Sequence, residues 1–314
     1  MVKHGSASAE RRTGSETDWL KAIRRRVKLP RGGETIVGIG DDCAVFRPRG
    51  GAEDLLFTTD LFIEDVHFRR STHTARQVGW KALARGLSDI AAMGGTPRFV
   101  LLSLAVAPWC DTRWLRGFYD GLLALARREG AVLAGGDLGH AAKLACDVVV
   151  CGAVARGRAL LRSGARAGDE LYVSGRLGGS ALGLASDSRA GRKRHLRPEP
   201  RIALGQFLLR LGATAAMDLS DGLSLDLHRL CLESKLAARI TAPPVFPGAT
   251  LAQALHGGED YELLFAVPPS TRVPPRYQGV HLTRIGILRK GRAGTVLLGD
   301  APLEPLGYDH FRSR

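Results

Sequence analysis

The 314-residue chain predicts a two-domain α/β protein. Short β-type apolar runs alternate with helical patterns of three- and four-residue apolar spacing along almost its whole length. An Arg- and Gly-rich break near residue 156 separates one such series from a second. A hydrophobic content of 45% beside 24% charged residues is enough to bury a core of ordinary size.

Taken in order, residues 1–15 read as a disordered basic tail, and Asp18 to Lys28 as a short amphipathic helix. Thr35 to Phe46 and Asp54 to Asp60 read as strands across the turn-rich Arg47 to Gly51. A helix is predicted from Thr74, because Trp80, Leu83, Leu87 and Ile90 share one face until Gly94, Gly95 and Pro97 stop it. Phe99 to Ala107 is a buried strand, and Trp114 to Arg128 a second helix with Gly130 as C-cap. Ala131 to Ala134 is a strand feeding Gly135-Gly-Asp137, and the apolar run Leu144 to Ala155 closes a first domain over 16–155. The second domain, 156–314, is predicted to hold strand Glu170 to Ser174, helices near Ser180 to Ser186 and over Arg201 to Leu211, strand Thr214 to Met217, helix Ser224 to Ser234 and strand Tyr261 to Val267.

Several function classes drop out early. No apolar run approaches the roughly 20 residues a membrane helix needs, and the N-terminal stretch has no signal-like apolar core, so a cytoplasmic protein is expected. Five scattered cysteines show neither CxxC nor zinc spacing. A net charge of +14 raises nucleic-acid binding, but the basic clusters lack interleaved aromatics, and a basic surface that gathers anionic nucleotides accounts for it. No P-loop, protein-kinase or hydrolase motif is present. Gly175 to Gly183, between a strand and a helix, reads either as a phosphate cradle or as a plain Gly-rich connection.

The chemistry lies in aspartates set among small residues: Gly38-Ile-Gly-Asp-Asp42, Thr58-Thr-Asp60, Leu87-Ser-Asp89, Gly135-Gly-Asp137 and Asp218-Leu-Ser-Asp-Gly222. A carboxylate beside a small residue at a strand end protrudes where an ion or a phosphate can approach. Any one such segment is ordinarily a turn or a helix cap; five together, if they converge, need cations to offset their repulsion. Magnesium takes oxygen ligands, one or two carboxylates per ion with phosphate oxygens besides, which suits phosphoryl transfer.

Together with Val66-His-Phe68, Lys81-Ala-Leu-Ala84, Arg162-Ser-Gly-Ala165, Arg197-Pro198, Gly257-Gly-Glu-Asp-Tyr-Glu-Leu263 and Gly307-Tyr-Asp-His-Phe311, these segments resemble the thiamine-monophosphate kinase family, in order and over roughly residues 16 to 311. The resemblance implies the two-domain aminoimidazole-ribonucleotide-synthetase-like fold, with N-terminal domains pairing across a homodimer, and an ATP-dependent conversion of thiamine monophosphate to thiamine diphosphate. It implies several magnesium ions on Asp42, Thr58, Thr59, Asp60, Asp89, Asp137, Asp218 and Asp221, with Asp41 beside them. ATP would contact Gly136, Arg162 and Ser220, and thiamine monophosphate would contact His67, Glu259 and Tyr308. No side-chain nucleophile is needed, since the substrate's phosphate oxygen attacks in line. Asp65, Gly86 and Leu138 depart from the family's usual Gly, Asn and Thr. Other ATP-dependent members of the superfamily are the alternative, although no reactive N-terminal cysteine and no C-terminal cysteine tail is present.

Overall fold

The computed structural model describes residues 15–27, 29–30 and 32–311; the tail expected over 1–15 lies outside them apart from Ser15. Ser15 and Asp18 form a reciprocal capping box that starts α1 (Glu16–Arg26). The strand expected over Thr35 to Phe46 is instead two, β1 (Thr35–Val37) and β2 (Ala44–Phe46), because Gly40, at φ 126°, turns the chain between them. That turn carries Asp41 and Asp42.

There follow β3 (Glu53–Ile63), α2 (Ala75–Ala92), β4 (Thr96–Val106), α3 (Thr112–Arg128), β5 (Val132–His140) and β6 (Ala145–Ala155). Thr74 and Gln77 cap α2 reciprocally, and Gly94, in the left-handed region at φ 73°, ends it. Strands β1 to β6 form one sheet in the order β1-β2-β3-β6-β4-β5, antiparallel except for β4 with β5. Its inner face, with Leu56, Phe62, Val100, Leu104 and Val148, packs on α2, and α3 lies against α2 from outside. The helices approach so closely that a Cβ at Gly79 would meet the Phe118 carbonyl oxygen at 1.9 Å.

A 3-10 turn (Arg162–Gly164) leads to β7 (Glu170–Ser174), α4 (Gly179–Ala185), α5 (Arg189–Leu196), α6 (Ile202–Leu211), β8 (Ala215–Asp218), α7 (Leu223–Glu233), β9 (Ala237–Ile240), α8 (Leu251–His256), β10 (Leu263–Val267), β11 (Arg276–Tyr277), β12 (Val280–Arg289), β13 (Val296–Leu298) and β14 (Ala301–Pro302). These strands make a second sheet, β14-β13-β9-β12-β7-β10-β8 with β11 on β12, in which β9 and β13 alone run parallel among the described residues. The strand–helix alternation thus builds mainly antiparallel sheets, a mixed α/β architecture. The halves share a core: α6 lies on α2 with a Gly205 Cβ position 1.9 Å from the Ala91 carbonyl oxygen, and Phe265 and Val267 of β10 join the first sheet's apolar cluster. All five cysteines are unpaired thiols.

Candidate active site

Three carboxylates from three elements meet where the halves join. Asp42 comes from the β1–β2 turn, Asp89 from α2 and Asp218 from the C-terminal end of β8, with ligand oxygens within 4.8 Å of one another. Thr58 donates to Asp89 at 2.5 Å and Ser88 to Asp218 at 2.6 Å, while the Arg162 guanidinium pairs with Asp42. Burial pushes Asp89 and Asp218 well above the ordinary carboxylate range, and the neighbouring carboxylates push them further. Asp41, accepting from the Arg162 backbone N–H at 3.1 Å, is raised to about 7 by burial and by Asp42. Asp42 Oδ2 and Arg162 Nε are buried without a hydrogen-bond partner. An all-oxygen donor set with an unsatisfied carboxylate oxygen and an unsatisfied guanidinium N–H fits a hard divalent cation bearing phosphate.

From this cluster a cleft of about 850 Å³ runs along α2. Lys81, Arg85 and Asp89 are spaced by four residues, hence share one helix face. Arg85 pairs with Asp60 at 3.0 Å. Lys81 is fully buried; its ammonium donates to Glu259 at 2.9 Å and to the His67 carbonyl at 3.2 Å. His195 Nδ1 lies 3.1 Å from the same Glu259 carboxylate. Burial acts to raise the Glu259 pKa, but Lys81 and His195 outweigh it and hold the group well below its usual range. Glu259 sits at φ 62°, a left-handed conformation unfavourable for a side chain, and its N–H is pinned to the Ser220 carbonyl at 2.7 Å.

Of the expected site residues, Asp60, His67, Asp89, Asp218, Ser220, Asp221, Glu259 and Tyr308 line the cleft, and Asp42, Thr58 and Arg162 adjoin Asp89 and Asp218 as above. Asp221 is drawn to Arg229, which also holds Asp226 at 3.4 Å. Tyr308 donates its backbone N–H to the Asp221 carbonyl at 2.9 Å, so the C-terminal strap is tied beside Ser220. Thr59, Gly136 and Asp137 are placed elsewhere. Strand alternation turns Thr59 to the opposite face from Thr58, where it donates to Asp147 at 2.5 Å. Gly136 and Asp137 lie exposed on the edge strand β5.

The departures have local reasons. Asp65 sits at φ 67°, where glycine is at ease and Asp is among the better tolerated residues, and it pairs with Lys143 at 2.9 Å. A Cβ at Gly86 would come within 2.7 Å of Val150, so the smallest residue lets α2 settle on β6. Leu138 is 63% exposed on β5, away from the cleft. The Gly175 to Gly183 segment is no open phosphate cradle: the Asp260 carboxylate takes the N–H groups of Gly178 at 2.6 Å and Ser180 at 3.3 Å.

Residues 40–154 match the AIR synthase related protein N-terminal domain family. The chain is 40% identical over 304 residues to the thiamine-monophosphate kinase of Escherichia coli K12, spanning 88% of this chain and 92% of that one. To the thiamine-monophosphate kinase of Bacillus subtilis it is 35% identical over 307 residues, spanning 88% and 94%. The chain belongs to the thiamine-monophosphate kinase family. The solved structure of AaThiL complexed with AMPPCP and TMP aligns with a TM-score of 0.83 at 31% identity, covering 94% of this chain and 97% of that one. A hydrogenase maturation protein HypE in complex with ATP aligns over 79% of this chain and 84% of its own at 20% identity and a TM-score of 0.64, a likeness of fold alone.

In this member of the thiamine-monophosphate kinase family, sequence reasoning passed over Lys81, Arg85, His73 and His195, all set on the cleft or on Glu259. Lys81 and Arg85 did carry a signal: both are charged, four residues apart, in the otherwise apolar stretch of α2 from Val78 to Leu87. His73 and His195 carried none.

Proposed function

We propose that the chain transfers the γ-phosphoryl group of ATP to the phosphate of thiamine monophosphate, giving ADP and thiamine diphosphate, the last step in making that cofactor. The observation that carries this reading is the convergence of Asp42, Asp89 and Asp218 at one end of a cleft whose other end holds His67, Lys81 and Glu259. The complex of AaThiL with AMPPCP and TMP, an ATP analogue beside thiamine monophosphate, supports both substrates.

Magnesium on Asp42, Asp89 and Asp218, with Thr58, Asp60 and Asp221 in reach, would supply phosphate bridging and neutralise the charge that builds during transfer. The free Nε of Arg162 is placed to donate to phosphate oxygen. Ser220, on the cleft wall, contacts the nucleotide in this scheme. The substrate phosphate is largely ionised near neutral pH and attacks without a side-chain base. His67, Glu259 and Tyr308 hold the organic part of the substrate.

Thr59, Gly136 and Asp137 find a place in this reading through a homodimer. The outer face and β5 edge of the first sheet leave Leu61 at 56%, Val132 at 64% and Leu138 at 63% exposed, an apolar surface suited to a second copy. Covering it would bring these three residues out of solvent. A division at residue 156 is supported by the change there from the first sheet to the second, and in this reading the N-terminal part would supply most of the metal and ATP ligands. No described helix is long and apolar enough to cross a membrane, and a cytoplasmic location fits a biosynthetic kinase.

The test is thiamine diphosphate formation by purified protein with Mg-ATP and thiamine monophosphate, beside free thiamine and a magnesium-free control. Product from the monophosphate alone, and only with magnesium, is the expected outcome. ATP binding without product at any substrate level would redirect the assignment to another acceptor.

A further inference from the structure

We propose that His73 is a specificity-determining residue whose unprotonated Nε2 accepts a hydrogen bond from the amino group of the substrate's pyrimidine ring. This rests on the kinase reading above and names a contact that none of the expected substrate residues supplies.

His73 precedes α2, is 6% exposed and lines the cleft. Its Nδ1 lies 2.8 Å from the Thr72 hydroxyl, and that hydroxyl donates its single proton to the Arg69 carbonyl at 3.2 Å. With that proton on the Arg69 carbonyl, the Thr72 oxygen is an acceptor for a His73 Nδ1–H, the tautomer taken in this proposal, and in it Nε2 presents a lone pair. That Nε2 is buried and has no partner. Burial, Lys81 and His195 keep the ring neutral, with its pKa lowered to about 3. The His195 ring meets His73 edge-on at 5.3 Å between centroids, but its Nδ1 is taken up by Glu259 and by Ser180 at 3.0 Å.

His67 is the complement. Its Nδ1 accepts the Ile63 backbone N–H at 3.0 Å, which places its proton on Nε2, another buried atom without a partner. The cleft thus holds one unsatisfied acceptor and one unsatisfied donor on neutral rings, both close enough to Lys81 and Glu259 to feel their charges. Buried polar groups are rarely left unpaired without a ligand to pair them.

Lys81 stands eight residues from Asp89 on α2, about 12 Å along the helix. With the reacting phosphate at the Asp89 end, the far end of thiamine monophosphate reaches this pair of histidines. That end is a 4-aminopyrimidine, which offers a ring nitrogen acceptor next to an amino donor. The ring nitrogen takes the His67 Nε2–H, and the amino group donates to His73 Nε2. A ring with a carbonyl or hydrogen in place of the amine would leave His73 unpaired.

The experiment compares steady-state kinetics of the full chain on thiamine monophosphate and on its 4′-deamino analogue, for wild type, His73→Phe, His73→Gln and Thr72→Val. Wild type is expected to prefer the amino substrate roughly ten- to hundred-fold in kcat/KM. His73→Phe should raise KM for thiamine monophosphate by a similar factor, leave KM for ATP unchanged and bring the preference close to one. His73→Gln, which can return an amide oxygen to the place of Nε2, should restore most of it. A folded His73→Phe protein with wild-type KM and preference overturns the proposal. If that variant does not fold, Thr72→Val at its exposed position decides: lost preference supports the assignment, and unchanged preference overturns it. A wild type that never turns over thiamine monophosphate would overturn the kinase reading, and this inference with it.

Discussion

Lys81→Met tests whether the Lys81–Glu259 pair joins the two halves and shapes the substrate end of the cleft. The substitution removes an ammonium that is fully buried and leaves the Glu259 carboxylate, a quarter exposed, with His195 as its remaining partner. Breaking a buried pair from one side costs about 3–5 kcal/mol. Partial solvation and the surviving His195 contact discount that to about 2–3 kcal/mol, a fall in Tm of about 5 °C for a chain of this size. The sign of the pH dependence is diagnostic. In wild type the net pull of Lys81 and His195 holds Glu259 below its ordinary value of 4.5, so its contribution is present above that pH and is lost as pH falls through the lower folded value. With Lys81 gone, burial dominates and the pKa rises above 4.5, so the variant loses stability as pH increases. The Tm gap between variant and wild type should therefore widen from pH 5 to pH 8, and Lys81→Met/Glu259→Gln should recover most of it. Differential scanning calorimetry reads both. An equal gap at the two pH values with no rescue in the double variant would refute the pairing argument.

Asp89→Asn should abolish turnover with the fold intact. Without magnesium it should also raise Tm at pH 8, because a carboxylate whose pKa is raised by burial and like charge destabilises the protein above its unfolded value. Magnesium at one hundred times its Kd should stabilise wild type by about 2.7 kcal/mol and the variant by much less, as thermal shift would show. Leu138→Asp together with Val132→Asp on β5 should convert a dimer to monomers in light scattering; an unchanged mass would remove the homodimer proposal. Glu262, fully buried and held to about 2 because Arg201 and Arg194 outweigh its desolvation, contributes stability above pH 4.5 that is lost toward pH 2. Glu262→Gln should cost about 3–5 kcal/mol at pH 7, with the gap narrowing by pH 3 in equilibrium unfolding.

Much of the order of elements was legible in the chain because it depends on local chemistry. The apolar spacing of Trp80, Leu83, Leu87 and Ile90 announces α2, and the capping pair Thr74 and Gln77 with Gly94 bounds it. The Gly-Gly-Asp stretch after Ala134 was less legible, since β5 runs on through it to His140 as an edge strand where glycine is tolerated. Strands β9, β11, β13 and β14 have four residues or fewer, the ten-residue β12 buries Leu282, Ile285 and Leu288 at every third position around a bulge between Arg284 and Gly286, and the basic helix α5 lacks an apolar stripe, so no regular periodicity marked them.

By itself the sequence determined which residue types were available for chemistry: aspartates beside small residues, an arginine after the first domain and the motif order that marks the family. The meeting of Asp42, Asp89 and Asp218 was decided by tertiary structure, because a turn, a helix and a strand end separated by 47 and 129 residues come together only when α2 is packed between the two sheets. The same packing turned Thr58 inward and Thr59 outward through strand alternation, and it set Lys81 against a carboxylate 178 residues away. Local propensity carries no information about such partners; burial and the need to pair every buried charge select them once the chain is compact.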